Sequence, residues 1–302
     1  MKKKLLTVSL CSLLLSVFSI NTVVAQNVNY VQQREQLLQQ KNQQNIRVGW
    51  FAGIIGDYRA IPMTQSFLPL SNYLDQNLKE NMILVPDTSN PTIVKDALNG
   101  NYDMIYVTVN AALPLMKKNW IPIAQRTARI KPVILVLKNS NINNEQDLKY
   151  KKILGSQGVP ITEYTKYHLY QDHIIVHSKD FIEKPLNQKE LLSYLVTKQA
   201  DAIIVLKKIA LNLMQNNSNI KIIYNTPSAP GQMVLINPKK ITPENEKILQ
   251  NELLNMTPNM QGAKDTLTAI NGYDFKENPF SPINEQDIQE AEHMVKFLKN
   301  LK

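Results

Sequence analysis

Between residues 93 and 115 the apolar positions change period twice. Ile93, Val94, Ala97 and Leu98 recur on one side of a helical repeat, which predicts a helix. Asn99-Gly100 stops it, because glycine takes the left-handed conformation without a side-chain penalty. Residues 103–109 are apolar and β-branched over a length that suits a buried strand. The run closes on Thr108, Val109 and Asn110, and Ala111, Ala112, Leu113 and Leu115 begin a second helical spacing at once. Helix, short stop, buried strand and helix make one unit of an α/β sheet. Ligand crevices in such sheets lie at the carboxyl ends of the strands. Tyr106, Thr108 and Asn110 are therefore placed at a pocket.

The same reading predicts further strands at 45–51, 82–85, 120–124, 133–137, 174–176, 220–224 and 233–236, with a strand end at 153–155. Helices follow from the apolar spacing of Phe67, Leu70, Tyr73, Leu74 and Leu78, and of Tyr164, Tyr167 and Leu169. Others are read at 186–195, around Leu249 and Leu253, and at Ile288, Ala291, Met294 and Val295. Residues 198–205 repeat the logic of 99–107: helix stop, polar turn, Asp, buried strand. Two copies about 100 residues apart point to two similar α/β lobes. Asp103 and Asp201 read as turn residues that precede those strands.

Ahead of this pattern the chain is of another kind. Lys2, Lys3 and Lys4 precede an uncharged apolar run at 5–20, and Val23 and Ala25 set up a cut after Ala25, so residues 1–25 read as a secretory signal peptide. Residues 26–45 form a Gln/Asn-rich leader with no core of its own. The single cysteine, Cys11, lies in the signal run, leaving a mature chain with no internal disulfide, which suits the bacterial periplasm. The net charge of +9 is scattered, not gathered into a run. It implies attraction to anions, and no nucleic-acid motif accompanies it.

Several stretches stand in a familiar order. They are Ile46-Arg47-Val48-Gly49, Pro69-Leu70-Ser71-Asn72-Tyr73-Leu74, Leu98-Asn99-Gly100-Asn101-Tyr102-Asp103-Met104-Ile105-Tyr106, Ala124-Gln125, Lys198-Gln199-Ala200-Asp201, Thr226-Pro227 with Pro230-Gly231, and Gly272 beside an aromatic. In this order, over residues 46–282, the chain resembles the phosphonate-binding family of periplasmic substrate-binding proteins that serve ABC transporters. The resemblance implies the two-lobed, type 2 periplasmic-binding-protein fold, an α/β architecture with a ligand cleft between lobes joined by two crossover strands. It places lobe one at 46–132 and 228–302, lobe two at 133–227, and the crossovers near 131–134 and 224–232. It also implies a small anionic ligand of phosphonate or phosphate-ester type, a membrane permease as partner, and an anion site at a hydroxyl-rich helix start. The matching stretch is Val159-Pro160-Ile161-Thr162-Glu163-Tyr164-Thr165. Here Glu163 brings a carboxylate and Ile161 removes a donor.

The candidate ligand-binding residues are then Tyr58, Arg59, Tyr106, Thr108, Asn110 and Arg126 from lobe one and Gln157, Thr162, Tyr164 and Thr165 from lobe two. Hydroxyls would orient the ligand, aromatics would bound the cleft, and guanidinium groups (Arg59, Arg126, with Arg129 as a further candidate) would clamp an anion in pairs of hydrogen bonds. No metal is expected: His173 and His177 on a strand would stand about 13 Å apart, too far for one ion. No cofactor is expected either. The chain has no Gly-x-Ser-x-Gly, phosphate loop, paired cysteines or His-Glu-x-x-His, so an enzyme is not expected. A monomeric, periplasmic solute-binding protein is the reading. A non-transport sensor partner and a secreted hydrolase are its rivals.

Overall fold

The computed structural model describes residues 45–52, 65, 67–78, 80–87, 89–175, 181–271 and 277–301. Tyr58, Arg59, His177 and the expected signal peptide and leader lie outside these residues, apart from Asn45. The elements run β1 (Asn45–Phe51), α1 (Leu68–Leu74), β2 (Asn81–Asp87), α2 (Asn90–Leu98), β3 (Met104–Thr108), α3 (Val109–Met116) and β4 (Ile121–Arg126). The chain then crosses over to β5 (Pro132–Leu137), a 3-10 turn (Glu145–Leu148), β6 (Ile153–Ser156), α4 (Pro160–Gln171), β7 (Phe181–Lys184), α5 (Gln188–Val196), β8 (Ala202–Leu206), α6 (Lys207–Asn216) and β9 (Ile220–Asn225). It returns to β10 (Gln232–Ile236), α7 (Pro243–Leu254), α8 (Ala263–Asn271), β11 (Phe280–Ser281) and α9 (Glu285–Asn300).

Two sheets result, one per lobe. The first is ordered β11-β4-β10-β3-β1-β2 and the second β7-β6-β8-β5-β9. β1 and β3 are parallel, while the returning strand β10 lies antiparallel between β3 and β4. In the second sheet β6, β7 and β8 are parallel and β5 runs against β8 and β9. Both faces of this sheet are covered at its centre, so β5 and β8 are apolar throughout. Ile134, Val136 and Ile204 face Ile161 and Leu169 of α4, and Val133, Leu135 and Val205 face Leu191 and Leu195 of α5. The lobe-one core is separate: Val48, Trp50 and Tyr106 meet Leu70 and Leu74 of α1, Leu249 of α7 and Leu267 of α8.

Local chemistry explains the boundaries. Ser89 caps α2 by accepting from Thr92 N–H, Pro91 occupies its first turn, and Gly100 at φ +78° ends the unit. The two repeat units share a lock. Asp103 Oδ2 accepts from Arg47 N–H at 2.8 Å, and Asp201 Oδ2 accepts from Lys152 N–H at 2.8 Å. Each aspartate thereby ties the start of a buried strand to its parallel neighbour.

One strand expectation fails. Ile174 and Ile175 form no strand, and both N–H groups donate to Leu169 O (2.9 and 3.2 Å), past His173 at φ +55°. This is a helix C-terminus wrapped through a left-handed residue, with the isoleucines as its hydrophobic plug. The strand beside β6 is β7, where Phe181 pairs with Ile153.

The crossing segments adhere to each other. Ile130 and Ala229 exchange backbone hydrogen bonds of 2.9 and 2.8 Å. Arg129 donates to Ser228 O, to Asp287 Oδ1 at 2.6 Å and to Glu290 at 3.3 Å. Gln125 Nε2 donates to the other oxygen of Asp287 at 2.5 Å. The last helix, α9, is thus fastened to the hinge, and it packs on both α3 of lobe one and α4 of lobe two. Among the described residues no helix is long and apolar enough to cross a membrane.

Candidate functional site

A cleft of about 880 Å³ opens where the two lobes and the crossing segments meet. Lobe one contributes Phe51, Thr108, Arg126 and Gln232; the crossing segments contribute residues 127–131 and Ser228; lobe two contributes Val159, Pro160 and Ile161 and, from the β8–α6 junction, Leu206, Lys207, Lys208 and Leu211. Each lobe wall is a strand end opening onto a helix, as the α/β crevice rule requires. The repeat makes them counterparts: Thr108 precedes α3 with φ −68° and ψ 154°, and Leu206 precedes α6 with φ −66° and ψ 140°.

The helix starts at this cleft differ from those of α2, α7 and α9, although α1 too begins without a side-chain cap. Ser89, Thr242 and Asn284 cap α2, α7 and α9 with their side chains. The starts of α3, α4 and α6 receive no side-chain cap. The first N–H groups of α3, with the positive end of its helix dipole, remain available to an anion, whereas Lys207 N–H at the start of α6 donates to Lys131 O and α4 begins with Pro160. Thr108 is the telling case. It occupies a capping position of the preferred residue type, is 2 % exposed, and its Oγ1 has no hydrogen-bond partner. A buried orphan hydroxyl costs about 1–3 kcal/mol unless something else satisfies it.

Such orphans cluster. Among the described residues, buried side-chain polar atoms without a partner are Trp50 Nε1, Asn90 Nδ2, Tyr106 OH, Thr108 Oγ1, Asn110 Oδ1, Ser156 Oγ, Thr162 Oγ1, Tyr164 OH and His168 Nε2. All but His168 and Tyr106, the latter at the middle of β3, lie near the carboxyl end of a strand or in the first two turns of α2, α3 or α4. Tyr106 is stacked on Trp50 at 4.1 Å, and burial pushes its phenol up to about 12 against the pull of the nearby Arg126 guanidinium. Burial also raises the Tyr164 phenol, reinforced by Glu290 and Asp287, and lowers the His168 imidazole against the pull of Asp172.

Charge at the cleft favours anions. Arg126, Arg129, Lys131, Lys207 and Lys208 line it, with Glu277 the carboxylate among the described lining residues. Arg126 Nη1 is held 3.1 Å from Gln232 Oε1, which orients the guanidinium. Arg129 is engaged by Asp287 and Glu290 and acts on the hinge. The lining contains no histidine or cysteine among the described residues, and no group of three or more His, Cys, Asp or Glu there could hold a metal.

The residues singled out from sequence fall into three places. Thr108 and Arg126 line the cleft, and Tyr106 lies beneath it, 1 % exposed. Asn110 Nδ2 donates to Glu163 Oε2 at 2.5 Å, a contact between α3 of lobe one and α4 of lobe two beside the cleft. Thr162 and Thr165 are fully buried: Thr162 covers Gly155 of β6, and Thr165 Oγ1 lies 3.1 Å from Thr226 Oγ1 of the returning crossover. Tyr164 packs on Ala229 and Met294. Gln157 sits in an exposed turn, its N–H donating to Lys184 O. The phase of α4 explains this. Ile161, Thr165 and Leu169 are one helical turn apart and face the sheet, so the cleft meets Val159, Pro160 and Ile161 instead of the hydroxyls. Sequence reading missed Lys131, Lys207, Lys208 and Gln232. The internal repeat could have found the lysine pair, since extending it past residue 205 aligns Lys207-Lys208 with Val109-Asn110.

A family model described as the periplasmic substrate-binding protein of phosphonate ABC transporters matches residues 52–287. No curated protein sequence is similar enough to count as a relative. Several solved structures share the fold. PhnD1 of Prochlorococcus marinus, in complex with methylphosphonate, superposes with a TM-score of 0.68 at 19% identity, over 85% of this chain and 98% of that one. The binding-protein component PA3383 of a phosphonate ABC transporter from Pseudomonas aeruginosa gives 0.63 at 12% identity, over 86% and 88%. The alkanesulfonate-binding protein SsuA of Xanthomonas axonopodis pv. citri, bound to MOPS, gives 0.60 at 13% identity, over 85% and 93%.

Proposed function

This chain belongs to the family of periplasmic substrate-binding proteins of phosphonate ABC transporters, and we propose that it captures a small organic anion of phosphonate or phosphate-ester type in the cleft between its lobes. The observation that carries the ligand reading is Thr108. Its buried hydroxyl has no partner at the uncapped start of α3, beside a guanidinium held in place by Gln232. A tetrahedral oxyanion there accepts from the hydroxyl, the first N–H groups of α3 and Arg126 together. The relatives point the same way, since the neighbours named above bind methylphosphonate and a sulfonate buffer. Glu163 engages Asn110 outside the cleft lining, so the ligand needs no cationic group to neutralise that carboxylate.

On this reading the protein is a secreted monomer that binds without turnover. Its lobes, 46–132 with 228–302 and 133–227, close about the adhering crossovers and present a joint surface to a membrane permease. Calorimetric titration of the native protein with methylphosphonate, inorganic phosphate and aminoethylphosphonate is the test. Thr108→Ala and Arg126→Ala are each expected to weaken the preferred ligand at least tenfold. Tight binding that survives both substitutions would overturn the site, and no binding of any of the three would overturn the ligand class.

A further inference from the structure

The cleft is larger than a single small oxyanion needs, even with the lobes already joined at its edge by Asn110 and Glu163. About 880 Å³ lies at the upper end of what drug-sized ligands occupy. The two walls also differ in chemistry where the repeat makes them equivalent. Lobe one offers Thr108 and the oriented Arg126; lobe two offers Leu206 in the place of Thr108 and Lys208 in the place of Asn110. Ile161 and Leu211 extend the apolar surface next to Leu206. Leu211 is 49 % exposed, an unusual place for a large aliphatic side chain that faces a cleft. On the same wall Lys208 and Lys131 carry no ion pair or side-chain hydrogen bond among the described residues. Lys207, whose backbone N–H is held by Lys131 O at 2.8 Å, brings the two segments together and has its own Nζ 3.2 Å from Asn225.

Resting on the reading of the cleft as an anion site, we infer that its ligand is a two-headed anion. A phosphonate or phosphate ester sits against Thr108 and Arg126, and an apolar substituent runs over Ile161, Leu206 and Leu211 to a second anionic group at Lys131 and Lys208. The apolar wall gains from covering a hydrocarbon segment, and the unpaired lysines gain from a carboxylate or second phosphate. A bare oxyanion with a methyl group would leave both unmatched.

The experiment is a titration series on the full mature chain with methylphosphonate, butylphosphonate and carboxyalkylphosphonates of two to five methylenes. The native protein is expected to bind the best carboxyalkylphosphonate at least tenfold more tightly than butylphosphonate, and butylphosphonate more tightly than methylphosphonate. In the double variant Lys131→Ala/Lys208→Ala, shown to be folded by circular dichroism, the carboxyalkyl-to-butyl ratio is expected to fall to within twofold. A native ratio near one overturns the second subsite while leaving the anion site standing, provided methylphosphonate binds. A ratio untouched by the double variant overturns the assignment to these lysines. If no phosphonate binds at all, this inference and the reading beneath it fall together.

Discussion

Replacing Gly155 by alanine is expected to push the start of α4 off its sheet. A Cβ at position 155 would stand 2.6 Å from Thr162 Cγ2, 2.8 Å from its Oγ1 and 3.2 Å from its Cβ. Carbon atoms in good contact are about 3.5–4.0 Å apart, so the methyl overlaps Thr162 by about 1 Å. Thr162 is fully buried and β-branched, so it cannot swing clear. The strain must be taken by the backbone, and overpacking of this kind costs about 1–3 kcal/mol. Thr162→Ala removes Cγ2 and an unpartnered hydroxyl, so alone it costs about 1 kcal/mol or less. Placed together, the two substitutions relieve the worst overlaps, and a favourable coupling of about 1–2 kcal/mol is expected. Because Val159, Pro160 and Ile161 line the cleft, Gly155→Ala is also expected to weaken ligand binding, and the double variant to restore part of it. Urea unfolding followed by circular dichroism, on all four members of the cycle, reads the coupling directly. A Gly155→Ala protein within 0.5 kcal/mol of native, or a double variant equal to the sum of its parts, would refute the reasoning.

Thr108→Ala is expected to leave the midpoint of urea unfolding unchanged or slightly raised, because it removes a hydroxyl with no partner, while ligand affinity falls. Asp287→Ala strands Gln125 and Arg129, and is expected to cost about 2–3 kcal/mol after allowance for the exposure of Arg129. Faster amide exchange at residues 127–131 would accompany it, and unchanged exchange there would argue against α9 fastening the hinge. The Tyr106 phenol, pushed up to about 12, stays protonated in the folded chain while the unfolded chain ionises near 10. Its contribution is therefore complete below pH 10 and is lost as pH rises toward 12. Tyr106→Phe is expected to flatten that part of the alkaline stability curve, and an unchanged slope between pH 10 and 12 would count against it.

The α/β framework was legible because strands covered on both faces leave a plain apolar signature. Residues 133–137 and 203–205 carry it, and so does the turn aspartate ahead of each repeated strand. The signature fails where an apolar run serves another purpose. Ile174 and Ile175 have the composition of a strand, but a left-handed residue at the end of α4 folds them back onto Leu169. The cleft was half legible. Strand-end logic finds Thr108, since its position follows from the sheet alone. Which residues of α4 meet the ligand depends on the rotation of that helix about its axis. Gly155 sets that rotation by admitting Thr162 against the strand, and no local pattern announces it. The roles of the arginines were beyond the sequence too. Arg126 and Arg129 are three residues apart, yet one is aimed at the cleft by Gln232 and the other is bound to the last helix.

The position of β10 between β3 and β4 governs the order in which this chain can fold. The sheet of lobe two is contiguous, from β5 to β9, and its strands have all been made by residue 225. The centre of the lobe-one sheet stays open until residues 232–236 arrive to pair with residues more than a hundred positions earlier. Closing so long a loop is slow. A nascent chain therefore cannot complete lobe one, nor fasten the hinge through Asp287, before nearly all of it has been made. The cleft, which needs both lobes and the crossing segments, is therefore among the last features of the fold to form.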